Sequence, residues 1–311
     1  MTSSDQTQPS LGLYRFAWLT SFFTVLLLLA GALVTNNEAG DSVPDWPLAY
    51  GRLIPPMVGG TRFEYSHRVI AGIVAILTLI LAIWIARSDR RPLARRLGWN
   101  ALALVIAQAV LGGIRVLMGN PGLSATVHAT LAQLFFLTIV GLTLYLSPWW
   151  QRDLPHLADT GSPSARTLTF WTTIAIVVQI LLGAALRHGA LDLTPHVVGA
   201  CVVTVLVFWA GRAVKKRFRG VRELRVGVAL LHSFFGIQFL LGLAAWWAMV
   251  SAPHFVEPVT LLVVLLVAHV LGGALTLAFS VLLMMMCFRL TGPAAIATAS
   301  SPATSSGGTG A

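Results

Sequence analysis

Residues 67–87 read HRVIAGIVAILTLILAIWIAR, an uncharged apolar run closed by arginines at both ends. A membrane-spanning helix needs about 20 mostly apolar residues. Seven further stretches meet that length, so the predicted spans are 16–35, 67–87, 97–117, 125–147, 168–187, 196–214, 226–249 and 259–289. Helices are expected because an open strand edge has unmet backbone hydrogen bonds in lipid. The wider composition agrees. Of 311 residues, 56% are hydrophobic and 10% charged, whereas soluble domains carry about 25% charged residues. The net charge of +10 raises nucleic acid as a partner, but the basic residues fall in short segments between apolar runs, which excludes it. The two cysteines form no CxxC, CxxCH or zinc-type spacing.

Charge placement orients the chain. With the N-terminus inside, the inner segments hold 16 of the 21 Lys and Arg, among them Arg87, Arg90, Arg91, Arg95, Arg96 and the run from Arg212 to Arg225. The outer ones hold Arg52, Arg62, Arg68, Arg115 and Arg187. Both termini are therefore expected inside. Residues 1–15 read as a polar cytoplasmic tail, neither secretory signal nor transit peptide. Residues 16–150 form a first half with an outer loop over 36–66, and 151–167 an inner linker. Residues 168–289 form a second half, and 290–311 a disordered tail rich in Ala, Ser, Thr, Gly and Pro. The fold class is all-α integral membrane, eight helices as two four-helix bundles related by a pseudo-twofold axis.

The halves repeat. Gln108-Ala-Val-Leu-Gly112, Gln179-Ile-Leu-Leu-Gly183 and Gln238-Phe-Leu-Leu-Gly242 recur on the third, fifth and seventh spans, and Gly31 alone remains on the first. Glycine at such places permits close helix approach, so the motif reads as packing. Histidines follow the same plan: His67 and His196 are offset by 129 residues, His128 and His269 by 141. From each of the four to the inner end of its span is 20 residues, which at 1.5 Å per residue sets them about 30 Å from the inner boundary. Ionisable groups in spans are costly and commonly functional. Neutral imidazole binds heme iron axially, and two from one bundle can clamp a flat macrocycle. Small residues after the histidines, such as Ala71-Gly72, Gly199-Ala200 and Gly272-Gly273, are expected to leave room for a porphyrin. Few carboxylates are near, which disfavours a bare metal site. Of the remaining histidines, His156 and His254 fall in loops. His188 ends the fifth span within reach of a heme propionate, and His232 reads as packing.

Glu64-Tyr65-Ser66-His67-Arg68 is the densest polar cluster beside a span. On a helix Glu64 and His67 share a face, and Glu64 pairs with Arg68 or Arg62 or assists proton removal beside the heme. The second half has Leu193-Thr194-Pro195 before His196, with no acid there. One reactive and one resident site is the resulting expectation. Arg68, Arg115 and Arg187 are candidate partners for anionic propionates.

The segment from Asp41-Ser-Val-Pro-Asp-Trp-Pro to Pro55-Pro56, followed by Glu64-Tyr-Ser-His-Arg68, resembles the first outer loop and second helix of heme A synthases. Leu111-Gly-Gly113 before His128, and the pair His196 and His269, fit the same family. The resemblance implies oxidation of the C8 methyl of heme O to the formyl of heme A for terminal oxidases, by successive hydroxylations and loss of water, in a bacterial inner membrane. It implies that His67 and His128 hold the substrate heme, that His196 and His269 ligate a resident heme b, and that Glu64 matches the family's important catalytic carboxylate. It raises as partners an electron acceptor and the farnesyl-transferring enzyme that makes heme O. Many members carry a cysteine pair flanking the DWP; here Val43 and Ala49 stand there. Cys201 and Cys287 are about 20 Å apart in depth, too far for a disulfide. Two other readings compete: a diheme electron-transfer cytochrome, and a transporter built from repeats and broken helices.

Overall fold

A computed structural model describes residues 10–119, 122–251 and 259–292. They form eight long helices: α1 (Leu11–Asn36), α2 (Thr61–Ser88), α3 (Pro92–Leu117), α4 (Gly122–Leu146), α5 (Ala165–Arg187), α6 (Leu193–Arg217), α7 (Arg222–Ser251) and α8 (Val259–Leu290). All eight are long and apolar enough to cross a membrane, and each is continuous, without the midplane break that a transporter reading requires.

Local chemistry sets the ends. The Ser10 and Ser164 hydroxyls accept from Leu13 N at 3.2 Å and Thr167 N at 3.1 Å, and the Asp192 carboxylate accepts from Thr194 N at 3.0 Å. Each satisfies an amide that the first helical turn leaves open. Pro92 opens α3 where no amide is needed. Several helices outrun the predicted spans: α1 starts at Leu11 rather than 16, and α2 at Thr61 rather than 67. Hydropathy marks the hydrocarbon layer, whereas a helix continues into the interface. That extension brings Glu64 into the first turn of α2.

In the first four helices α1 packs on α2 and α4, and α3 on α2 and α4; in the last four α5 packs on α6 and α8, and α7 on α6 and α8. Between the two sets α1 meets α8, α4 meets α8 and α4 meets α5. Exchanging α1–α4 with α5–α8 leaves this pattern unchanged. Two main apolar cores result. One gathers Leu13, Leu81, Ile85, Ile139 and Leu142, the other Val207, Val228, Leu231, Leu277 and Leu283. A smaller cluster of Leu28, Phe136, Ala274 and Ala278 sits where α1, α4 and α8 meet. Outward positions remain apolar: Val205 is 63% and Leu240 65% exposed, as lipid-facing residues should be. Each set also has one buried hydroxyl pair: Ser21 to Thr143 at 2.9 Å between α1 and α4, and Thr173 to Ser280 at 2.8 Å between α5 and α8.

An all-α reading misses one detail. Leu157–Ala158 of the linker (β1) pairs in parallel with Thr291–Gly292 (β2) just after α8. Asp159 N donates to Gly292 O at 2.9 Å, and Arg166 donates to Phe288 O and Thr291 O. The Asp159 carboxylate accepts from Ala165 N and pairs with Arg217 at 3.3 Å. Two paired residues leave no periodic trace in a sequence. The first residues of the expected disordered tail are thus ordered, while 293–311 and 1–9 lie outside the described residues.

Candidate functional site

His67 is the seventh residue of α2, His128 the seventh of α4, His196 the fourth of α6 and His269 the eleventh of α8. From His67 to Ser88, His128 to Leu146, His196 to Arg217 and His269 to Leu290 are 21, 18, 21 and 21 residues. The four share one level to within about a helical turn.

Each histidine lies against a glycine of the preceding odd helix. A Cβ added at Gly31 would meet His67 Nε2 at 3.4 Å, and one at Gly112 would meet His128 Cε1 at 3.4 Å. At Gly183 and Gly242 the corresponding contacts are His196 Cε1 at 3.0 Å and His269 Cε1 at 2.9 Å. The glutamine one turn earlier reaches the same neighbour. Gln108 Nε2 donates to His128 O at 2.9 Å, and Gln179 Nε2 donates to His196 O at 2.9 Å and lies 3.1 Å from His196 Nδ1. Gln238 Nε2 lies 3.3 Å from His269 Nε2. The Gln-x-x-Leu-Gly motif therefore seats histidines, beyond the packing read from sequence. Its recurrence on three helices was the available signal. Gly199 and Gly272, expected to face a porphyrin, instead face Oε1 of Gln179 and Gln238, and nothing lies within 4 Å of a Cβ at Gly72.

His196 and His269 come together, with ring centroids 6.3 Å apart and planes at 74°. Metal–imidazole bonds are about 2.0–2.1 Å, and a ring nitrogen lies about 1 Å from the ring centre. Two imidazoles on opposite sides of one metal therefore have centroids about 6 Å apart. His269 Nδ1 and His128 Nδ1 are buried without a hydrogen-bond partner. Among the described residues no three His, Cys, Asp or Glu side chains converge. Two imidazoles alone suit a metal that brings its own in-plane ligands, as heme does.

The first-half site adds charge. Arg115, in the last turn of α3, lies within electrostatic range of His67, His128, His188, Asp41 and Glu64. Its buried Nε has no hydrogen-bond partner. His188 caps α5, and its carbonyl oxygen lies against Gly122 at the start of α4. Burial, then Arg115 and Arg187, pull its imidazole down to about 4, so it is neutral at physiological pH. Arg187 donates to Asn36 Oδ1 at 3.1 Å and Thr35 O at 2.8 Å, tying α5 to the end of α1.

The outer loop is built around Glu64 and Arg68. Glu64, 5% exposed, pairs with Arg68 at 2.5 Å and accepts from Val43 N at 2.9 Å. Arg68 also donates to Asp45 O at 2.7 Å, Leu48 O at 3.0 Å and Val43 O at 3.4 Å. Asp45 accepts from Tyr50 N and Gly51 N at 2.6 and 2.7 Å, and the Gly51 amide foremost holds its carboxyl below the usual range. Tyr50 and Tyr65 donate to Ser42 O and Leu53 O. Val43 and Ala49 are buried, so apolar packing and hydrogen bonds occupy the place of the cysteine pair. Trp46 lies across Gly113, a contact the sequence did not suggest. Cys201 is exposed and Cys287 buried, both free. His232 stacks on Phe208 with centroids 5.1 Å apart and abuts Gly211, a packing role. His156 lies beside Gly292, and His254 falls outside the described residues.

Fold and site together define a multi-pass membrane protein with four glycine-seated histidines at one level. A family model described as cytochrome oxidase assembly protein (COX15-CtaA) matches residues 57–140. Heme A synthase of Shouchella clausii is 37% identical over 180 residues, covering 57% of this chain and 60% of that protein. Heme A synthase of Alkalihalophilus pseudofirmus is 33% identical over 179 residues, covering 56% and 59%. That of Symbiobacterium thermophilum is 27% identical over 255 residues, covering 70% and 81%. The match to the first two spans about three-fifths of their length. Over these stretches the chain is similar to proteins named heme A synthase.

Proposed function

We propose that the protein is a heme A synthase, an oxidoreductase that converts the C8 methyl of heme O to the formyl of heme A for terminal oxidases. The observation that carries this reading is the 6.3 Å spacing of His196 and His269, which suits one metal between two imidazoles, in a chain similar to proteins named heme A synthase. The helices form two pseudo-twofold-related bundles in a bacterial inner membrane, with both termini cytoplasmic, in keeping with the charge distribution.

In this reading His196 and His269 ligate heme b, which supplies one-electron redox capacity. His67 and His128 hold heme O as substrate. Methyl to formyl with one water removes four electrons and four protons, which pass to an electron acceptor and to bulk. Glu64, buried one turn from His67, is the catalytic carboxylate, placed to take a proton and to stabilise positive charge. Arg115 offers its unmatched Nε to a propionate, with Arg68 and Arg187 beside it. The farnesyl-transferring enzyme that makes heme O is the natural neighbour in the membrane. An electron-transfer cytochrome would share the ligands but gives no role to Glu64 or the long outer loop.

The test is a heme extract of the purified protein together with a deletion strain. Near-stoichiometric heme b, lost in His196→Ala and His269→Ala, with sub-stoichiometric heme O or A lost in His128→Ala, is expected. The deletion strain should accumulate heme O and lack heme A. Normal heme A in that strain, or protein without heme, would overturn the proposal.

A further inference from the structure

The four histidines are not held alike. His128, His196 and His269 are fixed from two sides, by glycine against the ring and by a glutamine amide from the same odd helix. On α6 and α8 the residue three past the histidine, Gly199 or Gly272, clears the space into which that glutamine fits. Among the described residues His67 has the glycine contact of Gly31 and no hydrogen bond from a glutamine. One turn before Gly31, where α3, α5 and α7 carry glutamine, α1 has Leu27, packed among the apolar residues of the first core.

A hydrogen bond to a histidine's carbonyl fixes the turn that carries it, as at His128 and His196, and one to the ring, as at His196 and His269, also fixes the direction of the imidazole. Such outer contacts orient a metal ligand and set how readily it departs. We infer that Gln108, Gln179 and Gln238 are positioning residues that lock His128, His196 and His269, and that His67, seated on glycine without a glutamine, is the displaceable ligand. This rests on the heme reading above and gives it a direction. A resident heme is held by two locked imidazoles, His196 and His269. A substrate that must enter and leave is held by one locked imidazole, His128, and one that lets go. The yielding side is also the side of Glu64, one turn before His67 on α2 and closed over by the outer loop.

Carbon monoxide tests this, because it binds ferrous heme only where an axial ligand yields. The purified protein, carrying its native heme, is reduced and titrated with carbon monoxide while its difference spectrum is recorded. The wild type should show one reactive fraction. Leu27→Gln, which supplies the missing amide, should lower carbon monoxide affinity of that fraction roughly fivefold, the size of one net hydrogen bond. Gln179→Ala and Gln238→Ala should add a second reactive fraction at unchanged heme content, and Gln238→Asn should restore part of the wild-type behaviour. Unchanged carbon monoxide binding in heme-loaded Leu27→Gln and Gln179→Ala overturns the inference alone. Wild-type protein without heme overturns the functional reading and the inference with it.

Discussion

Gly242 and Gly31 do the same job with different clearance. A methyl group at Gly242 or Gly183 meets an imidazole carbon at 2.9 or 3.0 Å, whereas at Gly112 or Gly31 the contact is 3.4 Å. Overpacking costs typically 1–3 kcal/mol. Gly242→Ala and Gly183→Ala should therefore lower thermal stability by about that amount and loosen the second-half heme. Gly112→Ala and Gly31→Ala should be nearly neutral. Melting curves with heme absorbance as the probe decide it, and equal losses at all four positions would refute the ranking. The depth of the histidines was legible in sequence because a helix converts residue count into length. The partners of Gln108, Gln179 and Gln238 were not, because they depend on which helices meet and how each is rotated. For the same reason Gly199 and Gly272 were assigned to the wrong neighbour.

The outer loop shows what an element adds. It holds to α2 through side chain to backbone contacts: Glu64 to Val43 N, and Arg68 to three carbonyl oxygens. Sequence offered Arg68 or Arg62 as the partner of Glu64, and the structure selects Arg68, one helical turn away. Sequence did not expose the loop carbonyls, which carry no side-chain signature. Leu53 and Ile54 are the most exposed large apolar residues of the loop, at 78% and 77% exposure. Glu64→Ala removes charge-assisted hydrogen bonds worth roughly 1.5–3 kcal/mol to the loop. Chymotrypsin added outside intact spheroplasts should then cut at Leu53 at least tenfold faster than in wild type. Glu64→Gln, which can still accept from Val43 N, should fall between. Both variants should lose heme A formation. A Glu64→Ala protein with normal heme A would remove the catalytic role, and protection of Leu53 in spheroplasts would reverse the proposed orientation.

At the scale of the whole molecule, eight spans and their order were legible because lipid demands long uninterrupted apolar runs. The contacts of α1 with α8 and of α4 with α5 and α8 were not, because those helices are apolar on every side and mark no preferred face. The β1–β2 pairing was equally silent. Most linker contacts after Asp153 stay with the last four helices: Leu154 and Leu157 join the second core, and Asp159 pairs with Arg217. Arg289, donating to Arg152 O at 3.0 Å, reaches back across that point.

The unchanged helix contacts on exchange of the two sets have a consequence for chain continuity. Each set closes on itself, carries its own core and hydroxyl pair, and meets the other through α1, α4, α5 and α8. A polypeptide severed between Asp153 and Leu154 should complement itself when both fragments are made in one cell. A tag on the first fragment should co-purify the second with its heme, whereas recovery of the first fragment alone would mean that covalent connection holds the assembly together. Two separate gene products would then suffice for one working protein, as expected of a molecule descended from a pair of like subunits.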